Sequence, residues 1–103
     1  MTYWVRTTPR YRDHLREAAA WYEENASPEI ARRFLDQAER GAESLSSFPL
    51  AHRWDDDLAA RFVGVGGFPW LIWYRVDDRV VTLVGLTHTR MGPHSIMLRV
   101  AGG

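Results

Sequence analysis

Two neighbouring β-prone runs occupy residues 67–90, which read GFPWLIWYRVDDRVVTLVGLTHTR. A turn-forming pair at residues 77–78 separates them, so the runs predict a β-hairpin. Residues 70–74 are apolar at both alternating positions, and this pattern predicts a central strand that is covered on both faces. The second run becomes polar at residues 87–90, which indicates a strand that leaves the core at the rim of a site.

A third β-prone run precedes this pair and is separated from it by glycines and a proline. The three runs, at residues 61–65, 70–76 and 80–87, predict two hairpins in series. Residues 50–58 are mostly polar and predict a loop. The last segment, residues 96–100, fits either a short strand or a helical turn, because its apolar periodicity matches both.

Two helices are predicted ahead of these strands, after a short strand at residues 3–7. Residues 8–9 and 27–28 each combine a hydroxyl cap with a proline at the first helical position. Apolar residues then recur every three or four positions, to residue 25 in the first helix and to the Phe-Pro pair at residues 48–49 in the second. The short link makes the helices antiparallel neighbours. The expected fold class is α+β, with an N-terminal strand and an antiparallel helical hairpin packed on a largely antiparallel β-sheet.

Length and composition limit the possible functions. A chain of 103 residues has room for one core, so we expect one domain over residues 1–103 and exclude a two-domain cofactor-binding enzyme. Cysteine is absent, which excludes disulfides, thiolate catalysis and cysteine-based zinc sites and fits a reducing compartment. No apolar run is long enough to span a bilayer, so we expect a cytoplasmic protein with no membrane partner.

The charged residues are balanced and unusual in type. Thirteen basic residues, all of them arginine, offset thirteen acidic residues, so the formal net charge is zero. Because lysine is absent, a lysine nucleophile or general base is excluded. A neutral chain has no overall field that attracts phosphates, so strong nonspecific binding to nucleic acid is disfavoured.

Three motifs that suggest metal or phosphate sites have simpler explanations. The aspartates at 55–57 lack the spacing of a calcium loop and predict a solvated loop. His52, His88 and His94 form no helical i, i+4 pair, which a zinc site on a helix needs. The glycines at 64–67 lack a following Lys-Ser/Thr and predict a hairpin turn. We therefore expect neither a metal nor a cofactor.

Several motifs occur in one order over most of the chain. They are Tyr22 ahead of Ser27-Pro28, the register of Ala31, Phe34 and Leu45 ahead of Phe48-Pro49, Arg61 at a strand start, residues 67–76, and residues 84–90. Over residues 3–94 the chain resembles the RelE/ParE superfamily of type II toxin–antitoxin toxins, on its ParE or plasmid-stabilisation side. The resemblance implies a small toxin that forms a hetero-oligomer with a cognate antitoxin and is neutralised by it.

The resemblance leaves the cellular target open. ParE-type members inhibit DNA gyrase, whereas RelE-type members cleave messenger RNA on the ribosome, a reaction that needs a base, an acid and cations. If the chain is RelE-like, His88, Arg61, Arg90 and Tyr74 are the catalytic candidates, and they must converge on one sheet face. Missing lysines, zero net charge and Met91, where relatives often carry a second basic residue, weigh against this activity. A member that binds its partner without being toxic is a third alternative.

Our preferred interpretation is binding rather than catalysis. Arg61, His88 and Arg90 then form a polar rim around a shared hollow that contacts the antitoxin or the target. Trp21 joins this contact set if it is exposed, although burial is the default for an aromatic residue beside a helical hairpin. The simpler structural roles are an ion pair of Arg61 with a carboxylate such as Asp77 and donation by His88 to a backbone carbonyl.

Overall fold

The computed structural model of the protein describes residues 2–101, so both ends of the expected 1–103 domain lie outside the described residues. The elements in chain order are β1 Trp4–Thr7, α1 Pro9–Asn25, α2 Pro28–Ser44, a 3₁₀ turn Pro49–Ala51, β2 Arg53–Asp55, β3 Ala60–Gly64, β4 Trp70–Asp77, β5 Val80–His88 and α3 Pro93–Val100. The α+β fold class is confirmed: an N-terminal strand and a helical hairpin accompany a mostly antiparallel sheet.

The two long helices begin where the cap signals predict. The Thr8 hydroxyl accepts a hydrogen bond from the Tyr11 amide at 3.1 Å, and the Ser27 hydroxyl accepts one from the Ile30 amide at 3.1 Å. Each cap satisfies one of the amides that the first helical turn leaves without a partner. Proline occupies the first helical position in both helices, as predicted.

The second helix ends earlier than predicted, at Ser44 instead of beside Pro49. The Ser44 hydroxyl donates to the Gly41 carbonyl at 2.7 Å, and the Ser46 hydroxyl donates to the Glu43 carbonyl at 2.8 Å. Serine hydroxyls that bond to nearby carbonyls compete with the helical hydrogen bonds. The serines therefore end the helix before the proline is reached.

The sheet has the strand order β1-β5-β4-β3-β2, in which β1 is parallel to β5 and the other neighbours are antiparallel. Strand β4 lies in the centre, as its apolar run predicts. Strand β2 lies in the predicted loop at 50–58, so that loop prediction is wrong over these three residues; a short, polar edge strand has almost no sequence signal. The open assignment at 96–100 resolves as the helix α3.

Both faces of the sheet are covered, and this explains the unbroken apolar run of β4. Helices α1 and α2 cover one face, which we call the hairpin face, and its core includes Phe34, Ile72 and Tyr74. The opposite face carries a smaller cluster with Trp73 and Val100, which α3 closes. Successive residues of β4 therefore point into two different cores.

A β-bulge in β5 changes which residues of that strand point to the hairpin face. Trp73 is opposite Gly85, whereas the next residue of β4, Tyr74, is opposite Leu83, so Val84 is an extra residue on β5. One extra residue inverts the alternation of the strand beyond it. As a result, Leu83 and Leu86 share the hairpin-face core, and His88 points to the same face.

Candidate functional site

A solvent-open groove lies where β5 ends, between α1, the start of β4 and the end of β5. Its volume is about 320 Å³, and its walls are Glu17, Ala18, Trp21, Tyr22, Trp70, His88, Met91 and Arg99. We call this cavity the aromatic groove. Most of its wall is apolar, with a carboxylate, a guanidinium and an imidazole among its lining residues, which is the usual make-up of a preformed binding site.

Tyr22 and Trp70 form a rigid wall of the groove. The Trp70 indole donates to the Tyr22 hydroxyl at 3.1 Å, which joins α1 to β4. Behind them, Phe34 and Phe68 contact the Tyr22 ring with centroids 5.2 and 5.3 Å away. Packed aromatic rings and a satisfied indole donor fix the shape of the wall before any partner binds.

Trp21 is exposed, so the default expectation of burial is wrong for this residue. Its side chain retains 57% of its accessible surface, and its ring lies 5.3 Å from that of Tyr22 in an edge contact. Trp21 lies in the last two turns of α1, between the groove and solvent. An exposed tryptophan beside a preformed cavity marks a contact surface.

His88 faces the aromatic groove and contacts its wall. Its ring lies 5.1 Å from the Trp70 ring, nearly perpendicular to it. Its Nδ1 atom accepts a hydrogen bond from the Arg90 amide at 3.1 Å, so the predicted donation from His88 to a backbone carbonyl is wrong. The acceptor role requires an unprotonated Nδ1, and the imidazole also orders the turn that follows β5.

Arg90 lies in that turn and is exposed, next to the aromatic groove but not among its lining residues. The neighbouring Met91 lines the groove instead, and its amide donates to the His88 carbonyl at 3.0 Å. The structure therefore brings Trp21, His88 and Arg90 to one end of the molecule.

Arg61 lies at the other end of the sheet. Arg61 is opposite Tyr74 on β4, and His88 is opposite Trp70 on the same strand. Tyr74 and Trp70 are four residues apart. At about 3.3 Å per residue, Arg61 and His88 are therefore offset by about 13 Å along the strand. The expectation of a shared hollow for Arg61 and Arg90 is therefore wrong. The reason is topological: Arg61 is at the start of β3, and antiparallel pairing places that start beside the end of β4.

The partners of Arg61 also differ from the predicted carboxylate. Its Nη1 donates to the His52 carbonyl at 2.7 Å, and its guanidinium lies 5.5 Å from the centre of the Trp54 ring. The hydrogen bond explains how the loop at 50–52 is held against the sheet. The ring contact is a cation–π interaction on the half-exposed Trp54.

Tyr74 is fully buried, and its hydroxyl donates to the Pro49 carbonyl. Burial raises the pKa of this hydroxyl to about 12, and the nearby Arg61 charge opposes the rise. Near neutral pH this phenol keeps its proton, which is bonded to a backbone carbonyl and out of reach of a substrate. Tyr74 therefore anchors the 3₁₀ turn to the sheet.

The groove also contains residues that sequence reasoning did not select, chiefly Tyr22, Glu17 and Arg99. Glu17 and Trp21 are four residues apart on α1 and so lie on one face of the helix, which was an available signal. Within residues 2–101 there is no cluster of three or more metal-ligating side chains. Over the same span, no helix is long and apolar enough to cross a membrane.

Comparisons with known proteins agree with this architecture. The sequence model of a family described as ParE toxin of type II toxin-antitoxin system, parDE, matches residues 5–93. Eleven chains of solved structures also match. One, from the chromosomal ParDE TA system from P. aeruginosa, aligns with a TM-score of 0.76 over 86% of this chain and 98% of that chain. Its 12% sequence identity makes this a likeness of fold. A search of curated proteins gave no match.

Proposed function

Because the chain belongs to the ParE toxin family of type II toxin–antitoxin systems, we propose that it inhibits growth by binding a macromolecular target and that a cognate antitoxin neutralises it. DNA gyrase is the target we propose, following the ParE side of the superfamily. The proposal places the toxin, its antitoxin and its target in the cytoplasm.

The observation that carries this proposal is the aromatic groove with the exposed Trp21 at its edge. Water-exposed indole surface beside an apolar cavity costs free energy that a partner removes on binding. The wall of Tyr22 and Trp70 is already rigid, so little ordering is needed when the partner docks. We assign the groove, with Trp21 and His88, to the antitoxin.

Arg61 and Arg90 belong to different parts of the proposed contact surface. Arg90 extends the antitoxin contact beyond the groove, because its backbone is held by His88. Arg61 and Trp54 form a second surface at the opposite end of the sheet, which we assign to the target. Arginine and tryptophan are enriched in the energetically dominant positions of protein interfaces.

The alternative of a RelE-like messenger-RNA endoribonuclease has less support. That reaction needs its base, acid and cations around one phosphate. Arg61 is displaced from His88 by about 13 Å along the strand direction, and the Tyr74 hydroxyl is buried and bonded to Pro49. Only His88 and Arg90 of the catalytic candidates lie together, which supports inhibition by binding over cleavage.

The proposal is tested first by expression of the chain alone. We expect growth arrest that is relieved when the protein encoded beside its gene is co-expressed. In purified reactions we expect inhibition of gyrase supercoiling and no cleavage of ribosome-bound messenger RNA. Cleavage that is lost on His88→Ala establishes the RelE-like alternative instead, and expression without arrest establishes a non-toxic member.

The assignment of the groove is tested by the variant Trp21→Ala. We expect its affinity for the neighbouring-gene protein to fall about 30-fold, the effect of losing roughly 2 kcal/mol at a central interface aromatic. Trp4→Ala is the matched control, because Trp4 is 76% exposed and lies at the end of β5 remote from the groove. Equal losses for the two variants, or none for Trp21→Ala, contradict the assignment.

A further inference from the structure

Beyond the end of β1, the outer edge of β5 bonds to side chains and not to a neighbouring strand. Strand β1 ends at Thr7, opposite Leu83, so residues further along β5 have no strand partner on that side. At Leu86 the amide donates to His14 Nδ1 at 3.1 Å, and Arg99 Nε donates to the carbonyl at 3.1 Å. One side chain from α1 and one from α3 thus satisfy both backbone groups of a single edge residue.

The end of α3 contacts this edge very closely. A Cβ atom at Gly85 would lie 3.1 Å from the Arg99 carbonyl oxygen, 3.3 Å from Val100 Cγ2 and 3.5 Å from His14 Nδ1. These short distances show that a side chain at position 85 would collide with α3 and His14, so glycine provides the room for them beside the bulge. Arg10 on α1 also contacts the end of α3, because its Nη1 donates a long hydrogen bond of 3.5 Å to the same Arg99 carbonyl.

His14 holds this arrangement only in its neutral form. The residue is 8% exposed, and its Nδ1 must be unprotonated to accept from the Leu86 amide. A proton on Nδ1 would place a second donor against that amide inside a buried site, which is unfavourable.

The surroundings of His14 oppose its protonation. Burial lowers its pKa most, the Arg99 and Arg10 charges lower it further, and Glu17 and Asp13 act in the opposite direction. These are the charged groups that α1 and α3 direct toward the imidazole, while β5 presents the Leu86 backbone. The neutral, acceptor form is therefore favoured near neutral pH.

We propose that His14 and Arg99, which bond to the two backbone groups of Leu86, form a pH-sensitive latch at the edge of β5. Protonation of His14 removes the acceptor for the Leu86 amide and places a second cation beside the Arg99 guanidinium, and this repulsion releases α3. The latch is a property of the fold and does not require the proposed function. Its effect on binding does rest on that function: Arg99 and Met91 line the aromatic groove, so release of α3 changes the groove that we assign to the antitoxin.

Hydrogen exchange of the full chain, measured by NMR between about pH 7.5 and about pH 5, tests the latch. After correction for intrinsic exchange rates, protection of the α3 amides should fall by up to about tenfold per pH unit as the pH falls below 6.5 toward the lowered pKa of His14 in the folded chain. The amides of α2 should keep their protection, because the hydrogen bonds of the latch join α1 and α3 to Leu86 and do not involve α2.

Two variants separate His14 from the other histidines. In His14→Gln the amide oxygen can accept from Leu86 at any pH, so we expect α3 protection to become independent of pH in this range. His94→Gln is the control, since His94 is an exposed histidine on α3 itself, and it should keep the wild-type pH dependence. If His14→Gln does not fold, NMR titration of the wild-type His14 ring must have its midpoint at the pH where the loss of α3 protection levels off.

Three results would overturn the latch. They are α3 protection that does not change with pH, loss of α2 protection over the same pH range, and pH dependence that persists in His14→Gln. Trp21→Ala separates the latch from the proposed function, because it should weaken antitoxin binding and leave the exchange behaviour of α3 unchanged. Loss of α3 pH dependence in Trp21→Ala would also contradict the latch as described.

Discussion

The two ends of the sheet use aromatic and cationic side chains in opposite ways. At the groove end, Trp21 is largely exposed beside an open cavity, and Trp70 and Tyr22 form a wall that faces solvent. At the other end, Tyr74 is fully buried and its hydroxyl donates to the Pro49 carbonyl. Arg61 at this end donates to the His52 carbonyl. A fully buried side chain such as Tyr74 contributes to stability, and an open one such as Trp21 is available for binding. Arg61 is partly exposed, so it has an internal partner and also a surface that a target can contact. The type of residue alone does not distinguish these roles.

The largest effect on stability should come from the buried end. Tyr74→Ala should lower the free energy of unfolding by about 3–5 kcal/mol, because it removes a buried ring and leaves a cavity. Tyr74→Phe should cost about 1–3 kcal/mol, because the buried Pro49 carbonyl loses its donor. Denaturant titration measures both values. A cost below about 1 kcal/mol for Tyr74→Ala would show that this end is not a stability element.

Gly85→Ala should cost less, about 1–3 kcal/mol, because its Cβ would meet the Arg99 carbonyl at 3.1 Å and force α3 to shift. Gly64→Ala in β3 is the matched control, since a Cβ there has no neighbour within 4 Å. In thermal unfolding, Gly85→Ala should have a clearly lower melting temperature than Gly64→Ala. Equal melting temperatures would mean that α3 is not tightly packed on the bulge.

The pH dependence of stability should reveal the buried His14. Its pKa in the folded chain is lowered from the ordinary value of 6.5, mainly by burial, so the unfolded chain binds the proton first. The contribution of His14 is therefore complete above pH 6.5 and is lost as the pH falls below that value toward the folded pKa. The difference between wild type and His14→Gln in urea titrations isolates this contribution. The stability of wild type relative to His14→Gln should increase as the pH rises toward 6.5, and a decrease over that range would contradict the sign.

The smallest change in stability should come from the groove end. Trp21→Ala should alter the free energy of unfolding by less than about 1 kcal/mol, because most of its ring is already in water. The same variant should lose antitoxin affinity, so stability and binding separate at this residue. Calorimetry of the free chain, set beside binding measurements, checks the separation. A large loss of stability would make Trp21 a structural residue like Tyr74.

Much of the architecture was predictable because it depends on local signals. The threonine and serine caps, each followed by proline, set the starts of α1 and α2, and the run at 70–74 identified the central strand. Strand β2 was missed because three polar residues at a sheet edge carry no periodicity. For α3, eight residues are too few for the apolar pattern to distinguish a helix from a strand.

The site was predictable only in part. Trp21, His88 and Arg90 were selected from the sequence and lie near one another, whereas Arg61 and Tyr74 lie at the opposite end of the sheet. The groove wall of Tyr22 and Trp70 depends on a hydrogen bond between residues 48 positions apart, which no local pattern contains. Exposure of Trp21 likewise depends on where α1 ends relative to the sheet.

Local chemistry along the chain establishes the helices, the central strand and the order of the elements, because caps and apolar periodicity act within a few residues. Long-range packing establishes the face on which His88 lies. That face depends on one extra residue in β5, at a bulge beside which His14 contacts Leu86 across 72 positions and Arg99 contacts it across 13. A bulge inverts every side chain beyond it, so the pairing of β5 with β4, and not the local sequence pattern alone, places His88 in the groove.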